Sequence, residues 1–377
     1  MNVPFFKQSE INESFKRRFF QNALQLFDGT TSLVNGNFTR NFEQNFSQYV
    51  GSEYFAYVSN GLDALILALE ALNIKAGDEV VVPSHTYIAT WLAPLRLGCK
   101  LIVAPVHDDN FLLDISRLPY YLSEDTKVIM PVHLYGNSCD INALISLKKE
   151  FNFSIVEDAA QAHGSILDGK VIGSIGDLTC FSFYPTKNLG ALGEAGGVST
   201  NDWKLHEKII SLRNYGRSLS NGAINQYCGL NRRGDELQAA FLVEKLKKLD
   251  SIIAKRQNLI AVYKEELSSL PGVFHLLDYQ LKSSPHLSVI QLHEAADRDA
   301  LKDYLLQCGV HTSIHYAIPC HQQPFYNEDL SIGQIPYEVS SQAETIASTI
   351  LSLPMSEVHS VDEVKYVCSS IKKFFLN

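Results

Sequence analysis

The 377-residue sequence predicts an α/β protein, with a large domain on a mostly parallel sheet over residues 1–248 and a smaller C-terminal α+β domain over 249–377. Two observations predict this. Up to about residue 245, short apolar runs alternate with helix-period stretches, the pattern of strands covered on both faces. After Asp235 the pattern changes to two long helical stretches and then to a mixed strand and helix segment. Composition agrees: 46% hydrophobic and 19% charged residues are ordinary for a globular protein, and the length allows a large core.

In the first domain, residues 79–82, 100–104, 127–131, 154–157 and 178–183 read as strands. Leu62, Leu65, Ile66, Leu69 and Leu72 share one helical face, which predicts a helix packed on the sheet. Residues 236–249 and 251–267 read as the helices joining the two domains. The second domain has a strand at 287–292, a helix at 297–308 and two closing helices. The last of these opens on Ser360 and Glu363, spaced as a capping box. No internal repeat, low-complexity tract or Pro-rich linker interrupts the chain.

Several function classes are disfavoured. A net charge of −9 argues against a broad basic face for nucleic acid. Seven scattered cysteines contain no Cys-x-x-Cys pair, so no zinc ribbon or thioredoxin motif is expected, and they suit a reducing cytoplasm. The start of the chain lacks signal-peptide regions, and no apolar run reaches the roughly 18 residues of a membrane span. There is no Gly-x-Gly-x-x-Gly opening a helix after an early strand, which weakens a dinucleotide-binding reading. No His-Glu-x-x-His occurs, and no metal is expected.

Four blocks carry chemistry. In residues 181–190, Phe-Ser-Phe-Tyr-Pro-Thr-Lys-Asn-Leu-Gly, an apolar strand ends in a turn that presents Lys187. An isolated loop lysine is usually a solvated one. In a desolvated cleft, however, its lowered pKa equips it to form a Schiff base. The glycines of residues 193–197 keep the backbone slim, as a bulky cofactor nearby requires. In residues 154–164, Asp158 follows a strand at the carboxyl end, where ligands sit in open α/β sheets. A carboxylate there could protonate a pyridine nitrogen, and the small residues after Asp158 favour it over Glu157; helix capping is the plainer alternative. The third block, residues 58–65, places Gly61 and Leu62 at a helix N-terminus able to take a phosphate, with Ser182 as a further hydroxyl. The fourth, residues 83–90, offers Tyr87 as a ring that could stack on a cofactor.

Together these blocks resemble the DegT/StrS family of nucleotide-sugar aminotransferases, within the fold-type-I pyridoxal phosphate (PLP) transferases. The pairing of Glu-Asp-Ala-Ala-Gln-Ala-His-Gly with Ser-Phe-Tyr-Pro-Thr-Lys-Asn-Leu-Gly carries the resemblance, which runs from Asn35 to Tyr326. It implies that Lys187 bonds the cofactor covalently and then acts as general acid/base, that Asp158 pairs with the pyridine nitrogen, and that Gln161 contacts the ring hydroxyl. Ser182, Gly61 and Leu62 would cradle the phosphate, and Tyr87 would stack. Asn231 matches a phosphate ligand donated by a neighbouring subunit, so a homodimer with shared sites is implied. The implied reaction passes an amino group from L-glutamate, through pyridoxamine 5'-phosphate, to a nucleotide-linked keto-sugar. A related branch has His in place of the lysine and dehydrates its substrates; Lys187 favours transamination.

Residues 309–326 resemble the sugar-binding segment of the family, with Ala317 where Pro is usual. The His315-Tyr316-x-Ile-Pro-x-His321 pattern looks most like enzymes acting at sugar C3, which implies a dTDP-3-keto-6-deoxyhexose substrate and an amino sugar for a surface polysaccharide such as an O-antigen. Arg232 and Arg233 could hold the diphosphate, or could form a solvated pair on the subunit rim. Amination at C4 is the main alternative, and a non-catalytic regulatory relative is the alternative of another class.

Overall fold

The computed structural model describes residues 1–270, 273–276, 282–327 and 332–376. Helices α1 (Gln8–Glu13), α2 (Lys16–Phe27) and α3 (Asn37–Val50) precede β1 (Tyr54–Val58). Then follow α4 (Gly61–Ala71), β2 (Glu79–Pro83), α5 (Ala89–Arg96), β3 (Lys100–Ala104), β4 (Thr126–Ile129), α6 (Ile141–Leu147) and β5 (Ser154–Asp158). A small hairpin, β6 (Ile166–Leu167) and β7 (Lys170–Val171), leads to β8 (Leu178–Ser182), β9 (Gly196–Thr200) and α7 (Trp203–Leu212).

The large sheet has the order β1-β9-β8-β5-β4-β2-β3. Among these seven strands only β9 runs against the others, pairing antiparallel with β1 and β8. The remaining neighbours pair in parallel. Six strands therefore send their carboxyl ends to one edge, where a parallel sheet places its ligands.

Both faces of the sheet are covered. On one, α4, α5 and α7 pack on alternate valines of the strands, among them Val80, Val82, Val128 and Val156. Helix α4 was expected to bury a single face. Instead Ala64, Leu65, Ile66, Leu67, Ala68 and Leu69 are all buried, because α5 and α7 close over the side away from the sheet, while Leu62 and Leu72 stay half-buried. On the other face, α3 and α8 (Glu236–Leu246) sit over a cluster of rings. Phe42 meets Phe183 edge-on at 5.2 Å, and Phe46 meets Phe181 edge-on at 5.0 Å. Each such pair adds about 0.5–1.5 kcal/mol beyond area burial.

The C-terminal part contains α9 (Leu249–Leu267), β10 (Val273–Leu276), β11 (Ser288–Leu292), α10 (Ala295–Gln307), α11 (Tyr337–Thr349), β12 (Ile350–Leu353) and α12 (Val361–Leu376). Strands β10, β11 and β12 form an antiparallel sheet. Helix α9 belongs to both parts: Leu249 and Ile253 enter the core of the large sheet, and Leu259, Ile260, Tyr263 and Leu267 that of the small one. The first residues, assigned above to the large domain, pack on the small one. Val3 is fully buried in its core and bridges to Val310, an arrangement that a local sequence pattern does not encode. The capping box at α12 forms: the Ser360 amide donates to Glu363 Oε2 (2.8 Å), and the Glu363 amide to Ser360 Oγ (3.2 Å).

Strands β1 and β9 were not anticipated. Gly196 and Gly197 lie in β9, and protein atoms explain their size: a Cβ at Gly197 would come within 2.0 Å of the Phe55 ring, and one at Gly196 within 2.3 Å of the Asn60 backbone. All seven cysteines are free thiols. Among the described residues, no helix is long and apolar enough to cross a membrane, and no cluster of ligating side chains could hold a metal ion.

Candidate active site

The carboxyl edge of the sheet opens into a cleft of about 600 Å³. Lys187, Asp158, Gln161, Ser182, Gly61, Leu62, Tyr87, His315 and Tyr316 all line it, so nine of the residues singled out from sequence meet in one place. Strands β5 and β8, which carry Asp158 and Ser182, are neighbours in the sheet.

Lys187 follows β8 in a turn closed at its base by the Ala191 amide donating to the Phe183 carbonyl (2.8 Å). Burial pulls its pKa down to about 8, against the opposing pull of the Asp158 carboxylate. A lowered pKa gives this amine a far larger neutral fraction near neutral pH than an unperturbed lysine has. A partly desolvated, partly neutral amine is the form that attacks a carbonyl.

Asp158 is the last residue of β5. Burial raises its pKa, and hydrogen bonds that favour the charged form oppose this. The Thr90 hydroxyl donates to Oδ2 (2.8 Å) and the Ala160 amide to Oδ1 (3.1 Å). The carboxylate is thereby fixed in place with lone pairs to spare for a further donor from the cleft. Glu157 points to the opposite face of the strand and is already held by three donors. It accepts from His133 (2.9 Å), Thr179 (2.7 Å) and the Gly176 amide (2.8 Å). The Cys139 amide donates to His133 Nδ1, which puts the imidazole proton on Nε2, toward Glu157.

Helix α4 points its N-terminus at the cleft. Asn60 caps it by accepting the Asp63 amide (2.8 Å), and the amides of Gly61 and Leu62 are at the cleft wall. A Cβ at Gly61 would lie 2.7 Å from Ser182 Cβ, so only glycine lets the serine hydroxyl approach these amides. Two amides and a hydroxyl at a positive helix end make an anion site. Gln161 is held from both ends: its Oε1 accepts the Tyr135 amide (2.7 Å), and its Nε2 donates to the Tyr316 hydroxyl (2.7 Å). Tyr87 is half exposed at the mouth, its ring 5.3 Å from that of Tyr316. His315 bonds Ser352 (2.9 Å), and burial lowers its pKa to about 4, with the Lys187 charge adding to the effect.

The residues present fit pyridoxal phosphate. An anion cradle, a fixed carboxylate and a lysine of lowered pKa line one cleft large enough for the cofactor and part of a substrate.

Four predicted residues lie outside the cleft of their own chain. Asn231 is exposed and bridges to Asn214. Arg232 is neither a free phosphate ligand nor a solvated rim residue: it is buried, and its guanidinium is committed to Asp63 (3.2 Å) and Glu70 (2.8 Å). Arg233 donates to Asn214 (2.6 Å) and stacks over Tyr215 at 5.6 Å. His321 pairs with Glu344 (2.9 Å). Conversely, the sequence reading gave no role to Thr90, which anchors Asp158, or to His286, a buried residue of the cleft wall. Thr90 lies in the fourth block quoted above. Nothing local marks His286, a lone histidine just before β11.

Residues 14–372 match the model of the DegT/DnrJ/EryC1/StrS aminotransferase family. The chain belongs to this family. It is 37% identical, over 99% of both chains, to dTDP-3-amino-3,6-dideoxy-alpha-D-galactopyranose transaminase of Aneurinibacillus thermoaerophilus. It is 38% identical to dTDP-3-amino-3,4,6-trideoxy-alpha-D-glucose transaminase of Streptomyces venezuelae, over 94% of this chain and 91% of that one. Among solved structures, S. venezuelae DesV in complex with a ketimine intermediate superposes with a TM-score of 0.93 at 35% identity, over 100% of this chain and 99% of that one. The protein is therefore a PLP-dependent aminotransferase of the fold-type-I class.

Proposed function

We propose that this enzyme moves an amino group from L-glutamate to C3 of a dTDP-3-keto-6-deoxyhexose, giving a dTDP-3-amino-3,6-dideoxyhexose. The observation that carries the chemistry is Lys187, half-buried in the cleft wall with a pKa near 8 and in the field of Asp158. The choice of C3 and of dTDP is supported by the two relatives whose names specify dTDP-3-amino sugars, each matching more than nine-tenths of the chain.

Bound pyridoxal phosphate would supply the electron sink that lets a proton leave the carbon bearing nitrogen. The chain supplies the rest. Asp158 keeps the pyridine nitrogen protonated, and Thr90 and Ala160 hold its carboxylate in position for this. The amides of Gly61 and Leu62, with Ser182, hold the phosphate. Gln161 contacts the ring hydroxyl, in an orientation set by Tyr135 and Tyr316. Tyr87 would cover the ring from the mouth of the cleft. With the cofactor bound, Lys187 Nζ would be placed to take the proton from the donor carbon and to return one to the sugar carbon. His315 and Tyr316, at the mouth, receive the sugar; His315 does so as a neutral imidazole able to donate or accept.

The reading makes the enzyme a homodimer in which Asn231 reaches the partner's phosphate. Its exposure, away from the cleft of its own chain, supports that role. Arg233, half-buried beside it, is the remaining candidate for the sugar diphosphate. The product would serve a surface polysaccharide. Incubation with a panel of nucleotide-linked keto-sugars and glutamate, followed by NMR of the product, is expected to place the new amine at C3 of a dTDP sugar. An amine at C4 overturns the assignment.

A further inference from the structure

Lys245 lies on α8, a helix whose apolar residues enter the core, and is only 1% exposed. An ammonium in such a place is costly, and buried charges are often replaced by apolar residues without loss of stability. Packing alone is thus a poor explanation for a lysine here. Its Nζ donates to the carbonyl oxygen of Gly190 (3.2 Å). Gly190 ends the turn that presents Lys187.

That turn is tight. A Cβ at Gly190 would come within 2.4 Å of the Pro185 carbonyl oxygen. It is tied down at two further points. The Lys187 amide donates to the Tyr184 carbonyl (2.8 Å). The Asn188 amide group donates to Ser284 Oγ (2.9 Å) and to the carbonyls of Ser284 (3.2 Å) and Pro285 (3.3 Å). Behind Lys245 stands a buried ion pair, Arg256 with Glu357 (2.8 Å). Glu357 favours the charge on Lys245 and Arg256 opposes it, while burial dominates both. Arg256 also donates to the His286 carbonyl (3.1 Å), and the His286 amide to the Tyr135 carbonyl (2.8 Å). The same buried cluster thus reaches the reactive turn on one side and, through Tyr135, Gln161 on the other.

We propose that Lys245 is a positioning residue for Lys187: its ammonium holds the Gly190 carbonyl and so sets where the reactive amine stands in the cleft. This rests on the reading of Lys187 as the cofactor lysine and adds a role at a position outside the cleft. A positioned nucleophile is sensitive to small displacements, because misplacement of about 1 Å costs on the order of 10²-fold in rate. Burial lowers the pKa of Lys187 and the Asp158 carboxylate opposes it, while the Lys187 charge in turn helps keep His163, His286 and His315 neutral. A shift of the turn changes both the burial of Lys187 and its distance from Asp158.

The test compares holoenzyme of the wild type with Lys245→Gln and Lys245→Met. Glutamine keeps a weaker donor for the carbonyl, and methionine keeps none. The readouts are the pH midpoint of the visible absorbance of the lysine-bound cofactor and the steady-state kinetics. In the Met variant the midpoint is expected to move by about half a pH unit or more, and kcat to fall about tenfold with the KM for glutamate within about twofold. The Gln variant is expected to lie between Met and wild type. If the Met variant does not fold, the Gln variant decides by the same readouts. A loss of thermal stability with the wild-type midpoint and kcat retained means that Lys245 serves the fold alone and overturns the inference. Borohydride trapping in the wild type separates the two levels: a label away from Lys187 sinks the site reading, whereas a label on Lys187 with a midpoint indifferent to position 245 sinks only this inference.

Discussion

The cofactor side of the cleft and the substrate side are built differently. On the cofactor side Asp158 and Ser182 end parallel strands, and Gly61 and Leu62 open a helix that follows a strand. Their positions follow from the sheet. On the substrate side His315, Tyr316 and His321 come from the irregular segment between α10 and α11. The first set converges within one chain; the second is only partly assembled there. Rigid strand ends fix chemistry, and loops are left to choose the sugar.

This difference predicts a ranking of substitutions. Lys187→Ala removes the nucleophile and the proton carrier together. Its kcat is expected to fall by at least about 10³-fold in a coupled glutamate assay, with no covalent cofactor after borohydride treatment. Asp158→Asn keeps the shape of the residue but loses the charge, and is expected to lower kcat by about 10²- to 10³-fold with the cofactor still bound. On the substrate side the effects shrink. Tyr316→Phe deletes the hydroxyl that accepts from Gln161 and is expected to cost less than about tenfold in kcat/KM for the sugar. A loss in Tyr316→Phe as large as that in Asp158→Asn would break the contrast between the two sides.

The smallest effect lies behind the cleft. His163 is fully buried between the rings of Phe181 and Phe183, and neither ring nitrogen makes a hydrogen bond of good geometry. Burial, with the Lys187 charge adding, lowers its pKa to about 3. A depressed pKa in the folded state means that the unfolded chain takes up the proton first. The stability from this group is complete above about pH 6.5 and is lost as the pH falls toward 3. His163→Leu is expected to flatten the decline of Tm between pH 6.5 and 4.5, and to be neutral or stabilising by about 1 kcal/mol at pH 8. An unchanged acid slope would show that other groups carry it.

The same contrast explains what was legible in the sequence. Strands β2, β3, β4, β5 and β8 are buried on both faces and appear as apolar runs, so the cofactor residues at their ends could be located. Strand β9 is Gly-Gly-Val-Ser-Thr, glycine-rich because Phe55 and Asn60 press against it, and a strand without an apolar run leaves no periodic signal. Val3 packing with Val310 depends on a pairing across most of the chain. Arg232 reads as a basic residue available for phosphate until α4 brings Asp63 and Glu70 to it. Thr90 and His286 matter through what they face, and single residues of common type carry no spacing that marks them.

Borohydride reduction of the yellow holoenzyme, followed by peptide mapping, tests the central claim most directly. A single pyridoxyl-labelled peptide is expected, bearing the label on Lys187. A label on any other lysine, or a protein that stays colourless with saturating cofactor, would contradict it.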